Sequence, residues 1–257
     1  MESYPSGVLT VMHRGHPIDI RHEPRGFDTT TVFFHAALTG KKYTFPFFSG
    51  AGISAGLPTN RIFIMDPSLY VSHDLSLAWF AGNHKQPRLQ YAIRGILKHL
   101  APPEQRMVTF GSSGGGYAAL YYAANREGAV AVPVNPQTNL ANYNRGAVAR
   151  YARLGWNLSG DDALKKIPAV TDLTRIYRTP GKQVLYVQNV NDRTHMQGHF
   201  EPFMRALPAG HDVRPVLVDG KVGHHPPPKH VLRDALASAI SGAAPTPTVE
   251  EPEGLAS

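Results

Sequence analysis

The sequence predicts an α/β protein: a mostly parallel central sheet, helices on both faces and an antiparallel hairpin at the N-terminus. Three observations carry this. Short β-branched or aromatic runs alternate with segments of helical spacing over most of the chain. The runs lack polar alternation, as expected of strands covered on both faces. A glycine-rich turn, Gly111-Ser112-Ser113-Gly114-Gly115, stands where one such run gives way to a helical stretch. With 257 residues, 42% of them hydrophobic, the chain can bury one substantial core, and a single domain is expected over residues 1–242.

Residues 7–12 and 17–21 alternate around Arg14-Gly15 and read as the hairpin. Residues 29–35 suit a buried central strand, and residues 61–66, closed by Pro67, suit another. Over residues 87–100 the apolar positions Leu89, Ile93, Ile96, Leu97 and Leu100 recur at helical spacing until Pro102-Pro103. The strand before the glycine turn, a helix from Tyr117 and a strand over residues 129–134 come next. Residues 136–182 then interrupt the rhythm with short helical pieces, and an insertion of this size above a sheet is expected to be a lid. Strand, helix, strand and helix return over residues 183–190, 195–207, 213–218 and 228–240. Residues 243–257 are rich in Pro, Thr and Glu, with little to bury, and are expected to form a disordered tail.

The turn Gly111–Gly115 has the G-x-S-x-G form of a nucleophile elbow, in which small neighbours let strand and helix approach while a strained serine projects its hydroxyl. It lacks the Gly-Lys-Ser/Thr ending of a nucleotide-binding loop. A serine hydroxyl needs a base, and the base needs a carboxylate to hold its tautomer. Both stand after later strands. Asp192 lies just beyond residues 183–190, and His224 lies in the loop beyond residues 213–218. Ser113, Asp192 and His224 therefore fall in the order serine, acid, histidine, each at the carboxyl end of a parallel strand, where an open α/β sheet exposes its site. Asp219 and, more distantly, Asp66 are rival acids, a helix cap is the plainer role for Asp192, and His225 competes with His224.

A tetrahedral intermediate also needs donors for its oxygen. The backbone of Gly114 supplies one, and Ala36 or Ala37, after the strand at residues 29–35, supplies the second, with residues 48–52 as the alternative loop. His35 reads as a brace. Trp79, Asn135 and Trp156 are expected to line the substrate cleft, and Gln137 comes after a strand at the same edge. His195 and His199 are four apart on the expected helix, but no third ligand accompanies them, so no metal site is expected.

The formal net charge is +7, with Lys and Arg scattered singly or in pairs. A basic surface can attract an anionic polymer, but no nucleic-acid motif is present and no nucleic-acid partner is expected. No run of 18 or more apolar residues exists and the N-terminus lacks a secretory pattern, so no membrane insertion and a cytoplasmic location are expected. There is no cysteine. The oligomeric state is not legible.

The His35-Ala36-Ala37 turn, the Gly111–Gly115 elbow, Asp192 and Gly223-His224 together resemble the α/β-hydrolase-fold serine hydrolases, from the first hairpin to about residue 240. The two alanines stand where that family has glycine. The resemblance implies cleavage of an acyl ester, or a related bond, through an acyl-serine intermediate, with no metal or organic cofactor. Asp66-Pro67-Ser68-Leu69, residues 77–83, Asn135-Pro136-Gln137-Thr138 and His224-His225-Pro226-Pro227 are in addition similar to hydrolase-like domains of bacterial surface-glycan biosynthesis, including accessory-secretion glycan O-acetyltransferase relatives. This second resemblance implies an O-acyl ester on a glycan, cleaved or formed. Three functions are thus expected in order: a carboxylesterase-type serine hydrolase acting on a small-molecule or glycan ester, a glycan O-acyltransferase, and a non-catalytic glycan-binding module of the same fold.

Overall fold

The computed structural model describes residues 5–39 and 43–243. Eight strands form one sheet in the order β1-β2-β4-β3-β5-β6-β7-β8. They are β1 (Gly7–His13), β2 (His16–Glu23), β3 (Thr29–Phe34), β4 (Asn60–Ile64), β5 (Arg106–Ser112), β6 (Val130–Val134), β7 (Gln183–Asn189) and β8 (Asp212–Val218). The β1/β2 and β2/β4 pairs are antiparallel, and every pair from β4 to β8 is parallel. Helices α1 (Leu89–Leu100), α2 (Gly114–Ala124), α3 (Arg145–Arg150), α4 (Arg193–His195), α5 (Glu201–Ala206) and α6 (Lys229–Ser241) complete the frame.

Successive side chains of a strand face opposite ways, and β3 shows the result. Val32 and Phe34 enter the core cluster that contains Leu89, Ile93, Tyr122 and Tyr177, while Phe33 enters the second cluster with Leu232 and Leu236 of α6. The sheet is therefore covered on both faces, as its apolar strands required. Helix α2 is buried along its whole length. Tyr122 stacks on Phe34 at 5.0 Å, and Tyr177 closes over α2 with its hydroxyl donating to Leu120 O.

The segment between β6 and β7 contains 3₁₀ turns at Leu140–Asn142, Leu164–Lys166 and Leu173–Arg178, and α3, which widens into a π turn at Tyr151–Gly155. Tyr151, Trp156, Ile167, Leu173 and Tyr177 of this segment lie in the main core, so its apolar side chains pack as a layer of the fold. The helix expected over residues 195–207 starts two residues earlier and is split: α4 passes through a π turn, Met196–Phe200, into α5. Pro202 in the first turn of α5 has no N–H to give, which a widened turn accommodates. The expected C-terminal tail, past residue 243, lies outside the described residues.

Candidate active site

The elbow is built by close approach. Ser113 takes φ 54° and ψ −116°, a strained conformation for a residue with a side chain. A Cβ on Gly111 would lie 2.2 Å from Gly115 O, and one on Gly115 would lie 2.3 Å from Phe34 O and 2.7 Å from His35 O. Strand β5, helix α2 and the end of β3 thus meet where only glycine fits. The same contact brings the start of α2 against the turn that carries Ala36 and Ala37.

Asp192 uses its two oxygens separately. Oδ1 accepts the backbone N–H of His195 at 3.2 Å, capping α4, and Oδ2 accepts Nδ1–H of His224 at 2.6 Å. The helix cap and the partner of His224 are therefore one residue. Burial by itself would raise the Asp192 carboxyl, but hydrogen bonds from His195 and His224 outweigh it and hold the group below the usual carboxylate range. With its proton on Nδ1, His224 keeps the Nε2 lone pair free.

The His224 loop is pinned by three asparagines. Asn189 Nδ2 donates to Lys221 O at 2.7 Å, Asn191 Nδ2 to Gly220 O at 2.7 Å, and Asn135 Nδ2 to His225 O at 2.9 Å. Asn135, expected to line the cleft, is spent on this brace, since its Oδ1 also accepts Asn189 N at 2.7 Å. The rivals are placed elsewhere. Asp219 is bonded to Asn191 Nδ2, and Asp66 is buried with its oxygens accepting the backbone N–H groups of Ser68 and Phe80.

A second histidine, weighed in sequence only as half of a metal pair, stands at the same carboxylate. His195 is 2% exposed, its Nδ1 lies 2.9 Å from Asp192 Oδ2 off the line of a hydrogen bond, and its ring stacks on His224 at 4.0 Å and 10°. Its Nε2 lies 2.8 Å from Gln137 Nε2. Trp79 Nε1–H donates to Gln137 Oε1 at 3.0 Å, which fixes the amide with its nitrogen toward Ser113 and His195. That nitrogen donates to Ser113 Oγ at 2.9 Å. His195 Nε2 must then be the acceptor, so its proton is on Nδ1. Burial lowers the affinity of His195 for a second proton.

Asp192, His195 and His224 offer ligand atoms within 4.8 Å of one another. Zinc binds imidazole nitrogen at about 2.0–2.1 Å along the in-plane lone pair. An ion shared by two stacked rings would lie out of both planes, so the trio as arranged suits a proton better than a metal. His199 is fully buried, its Nδ1 accepts Thr138 N at 3.2 Å, and burial pushes its pKa down to about 3.

Trp79 reaches the site through a tense loop. Trp79 and Phe80 both take left-handed φ, 56° and 55°, each costing roughly 1–2 kcal/mol. Buried Asp66 holds them there by accepting Phe80 N at 2.7 Å, while Oδ1 caps the turn at Ser68 N, 3.0 Å. His35 completes this brace, accepting Asp66 N at Nε2 and donating from Nδ1 to Ala36 O. Trp156 packs against Gly82 and Tyr151, and its buried indole N–H has no hydrogen-bond partner among the described residues.

Burial raises the Asp66 carboxyl from 3.8 to about 6. Between those values the unfolded chain has released the proton and the folded chain retains it, so the contribution of Asp66 to stability falls as pH rises through the window, by about 3 kcal/mol. Buried His35 and His199, lowered to about 4 and about 3, gain stability as pH rises over the same window, so Asp66 is read by difference: the change in urea midpoint from pH 4 to pH 7 should be more favourable in Asp66→Asn than in wild type.

No protein-family model matches the chain, and no curated protein matches it. Solved structures do. The capsule O-acetyltransferase of Neisseria meningitidis serogroup A is similar with a TM-score of 0.59 and 15% identity, over 89% of this chain and 92% of that one. MPT51 of Mycobacterium tuberculosis gives 0.60 and 14%, over 93% and 98%. An acetyl xylan esterase from Paenibacillus sp. R4 gives 0.56 and 14%, over 92% and 88%. At these identities the likeness is one of fold, and with the eight-stranded mostly parallel sheet it establishes that this chain has the α/β-hydrolase fold.

Proposed function

We propose that this chain is a serine-nucleophile acyl-ester enzyme, an esterase in which Ser113 attacks the acyl carbon, His224 carries the proton and Asp192 orients the imidazole. The observation that carries the reading is the 2.6 Å bond from His224 Nδ1 to Asp192 Oδ2, formed at the same edge of the sheet as the strained Ser113 elbow. This bond fixes the tautomer that a base needs. Backbone N–H groups of Gly114 and of Ala36 or Ala37 are the proposed oxyanion donors. Water deacylates the enzyme.

The second reading keeps the same residues and delivers the acyl group to a glycan hydroxyl. Ser113 is only 5% exposed, which favours a site that keeps water from the acyl-enzyme. Similarity over 89% of the chain to the capsule O-acetyltransferase of Neisseria meningitidis supports the glycan as acceptor class. Turnover of p-nitrophenyl acetate, lost in Ser113→Ala, tests the first reading. Acetate yield with and without added polysaccharide acceptor separates hydrolysis from transfer. A folded wild type with neither activity would refute both.

A further inference from the structure

Serine, histidine and aspartate leave one polar contact of the nucleophile unexplained. Ser113 Oγ accepts a hydrogen bond from Gln137 Nε2 at 2.9 Å, and this amide is held more firmly than a cleft-lining side chain requires. Trp79 Nε1–H fixes its oxygen, and His195 Nε2 takes its other hydrogen at 2.8 Å. Gln137 and His195 are buried, at 0% and 2% exposure. The amide cannot turn over without facing its nitrogen toward the indole N–H and its oxygen toward the imidazole lone pair.

We propose that Gln137 is a further catalytic residue, whose side-chain N–H bonds Ser113 Oγ and assists its departure from the acyl-enzyme, and that His195 is the positioning residue that holds this amide. The proposal rests on the acyl-serine reading above. In the resting state the amide occupies one lone pair of Oγ, leaving the hydroxyl hydrogen for the base. Its larger effect comes in the second step. The acceptor hydroxyl gives its proton to His224 Nε2 as its oxygen bonds the acyl carbon. The acyl carbon to Oγ bond then breaks, the electron pair goes to Oγ, and the imidazolium returns the proton there. A donor already in place on Oγ stabilises the charge that develops on it, without reorganisation at the moment of reaction.

His195 acts through the amide. Only a neutral imidazole with its proton on Nδ1 can accept at Nε2. The charged and titratable neighbours that face it are Asp192 on its own helix, His199 on the next turn, His224 from the loop after β8, and Tyr143 from the segment after β6. Asp192 attracts the Nδ1 proton, and the stacked His224 disfavours a second charge on His195.

The test is rapid mixing of the full chain with p-nitrophenyl acetate, then quenching and intact-mass measurement of acetyl on Ser113. Gln137→Met, similar in size and without a donor, is expected to acylate and then deacylate on the order of tenfold to a hundredfold more slowly. Acetyl-enzyme should accumulate, with kcat and KM falling together. His195→Phe keeps a stackable ring without an acceptor and should behave like Gln137→Met. His195→Gln restores a carbonyl that can accept from the amide and should stay within about threefold of wild type. Nitrogen NMR of the imidazoles should find His195 with its proton on Nδ1. Deacylation of Gln137→Met at the wild-type rate, equal rates in His195→Phe and His195→Gln, or a His195 proton on Nε2 would each overturn the proposal. Wild type that takes no acetyl on Ser113 would instead remove the acyl-serine reading on which it stands.

Discussion

Asp192→Asn is expected to lower kcat for p-nitrophenyl acetate by on the order of 10³- to 10⁴-fold while leaving the chain folded. The reason is one atom. Asparagine keeps the oxygen that caps α4 at His195 N, but it puts an NH₂ where Oδ2 now accepts Nδ1–H of His224, with His195 Nδ1 2.9 Å away. Two donors then face a donor. His224, the partly exposed ring, responds by moving its proton to Nε2 or by turning away, and in either case no lone pair is left for the serine. His195 has less freedom, because Gln137 requires its Nε2 as acceptor. Thermal unfolding read beside kcat separates lost chemistry from lost structure. Turnover within about threefold of wild type would remove Asp192 from the mechanism.

Gly111→Ala has the largest expected effect on stability, about 3 kcal/mol or more. Its Cβ would stand 2.2 Å from Gly115 O, and backbone on both sides leaves nothing flexible to yield. The clash can be relieved only by lifting α2 off β5, and α2 is buried along its whole length. For a domain of this size the cost corresponds to a fall in Tm of about 6–12 °C. The elbow moves with the helix, so reactivity at Ser113 should fall as well. An unchanged Tm in Gly111→Ala would mean that strand and helix do not meet as closely as the elbow requires.

The frame was legible because its signals are local. Continuous apolar strands announced a sheet covered on both faces, and G-x-S-x-G announced a strand-to-helix turn too tight for side chains. Asp192 and His224 each stand just past the carboxyl end of a strand, the edge at which a parallel sheet exposes its site, and the structure joins them by a hydrogen bond. The hidden part depends on contacts between distant segments. Gln137 reads as one more polar residue after a strand; its part emerges only when Trp79, 58 positions earlier, and His195, 58 positions later, close on its amide. Trp79 arrives there through two left-handed residues that neither tryptophan nor phenylalanine advertises, held by a carboxylate whose burial no pattern reveals. Spacing shows only that His195 and His199 share a helix face, where no metal site is expected for want of a third ligand, and the neighbour that matters, His224, comes from another loop. Asn135 was placed at the right edge of the sheet, and its bonds run to Asn189 and His225.

The central claim is that Ser113 is a nucleophile activated from the His224 side. The direct measurement is labelling of the full chain with a fluorophosphonate, then peptide mapping of the adduct and comparison of its rate in wild type, His224→Ala and Ser113→Ala. A single adduct on Ser113 is predicted, slowed on the order of a hundredfold or more in His224→Ala and absent in Ser113→Ala. No adduct in folded wild type, or one formed equally fast without His224, would contradict the claim.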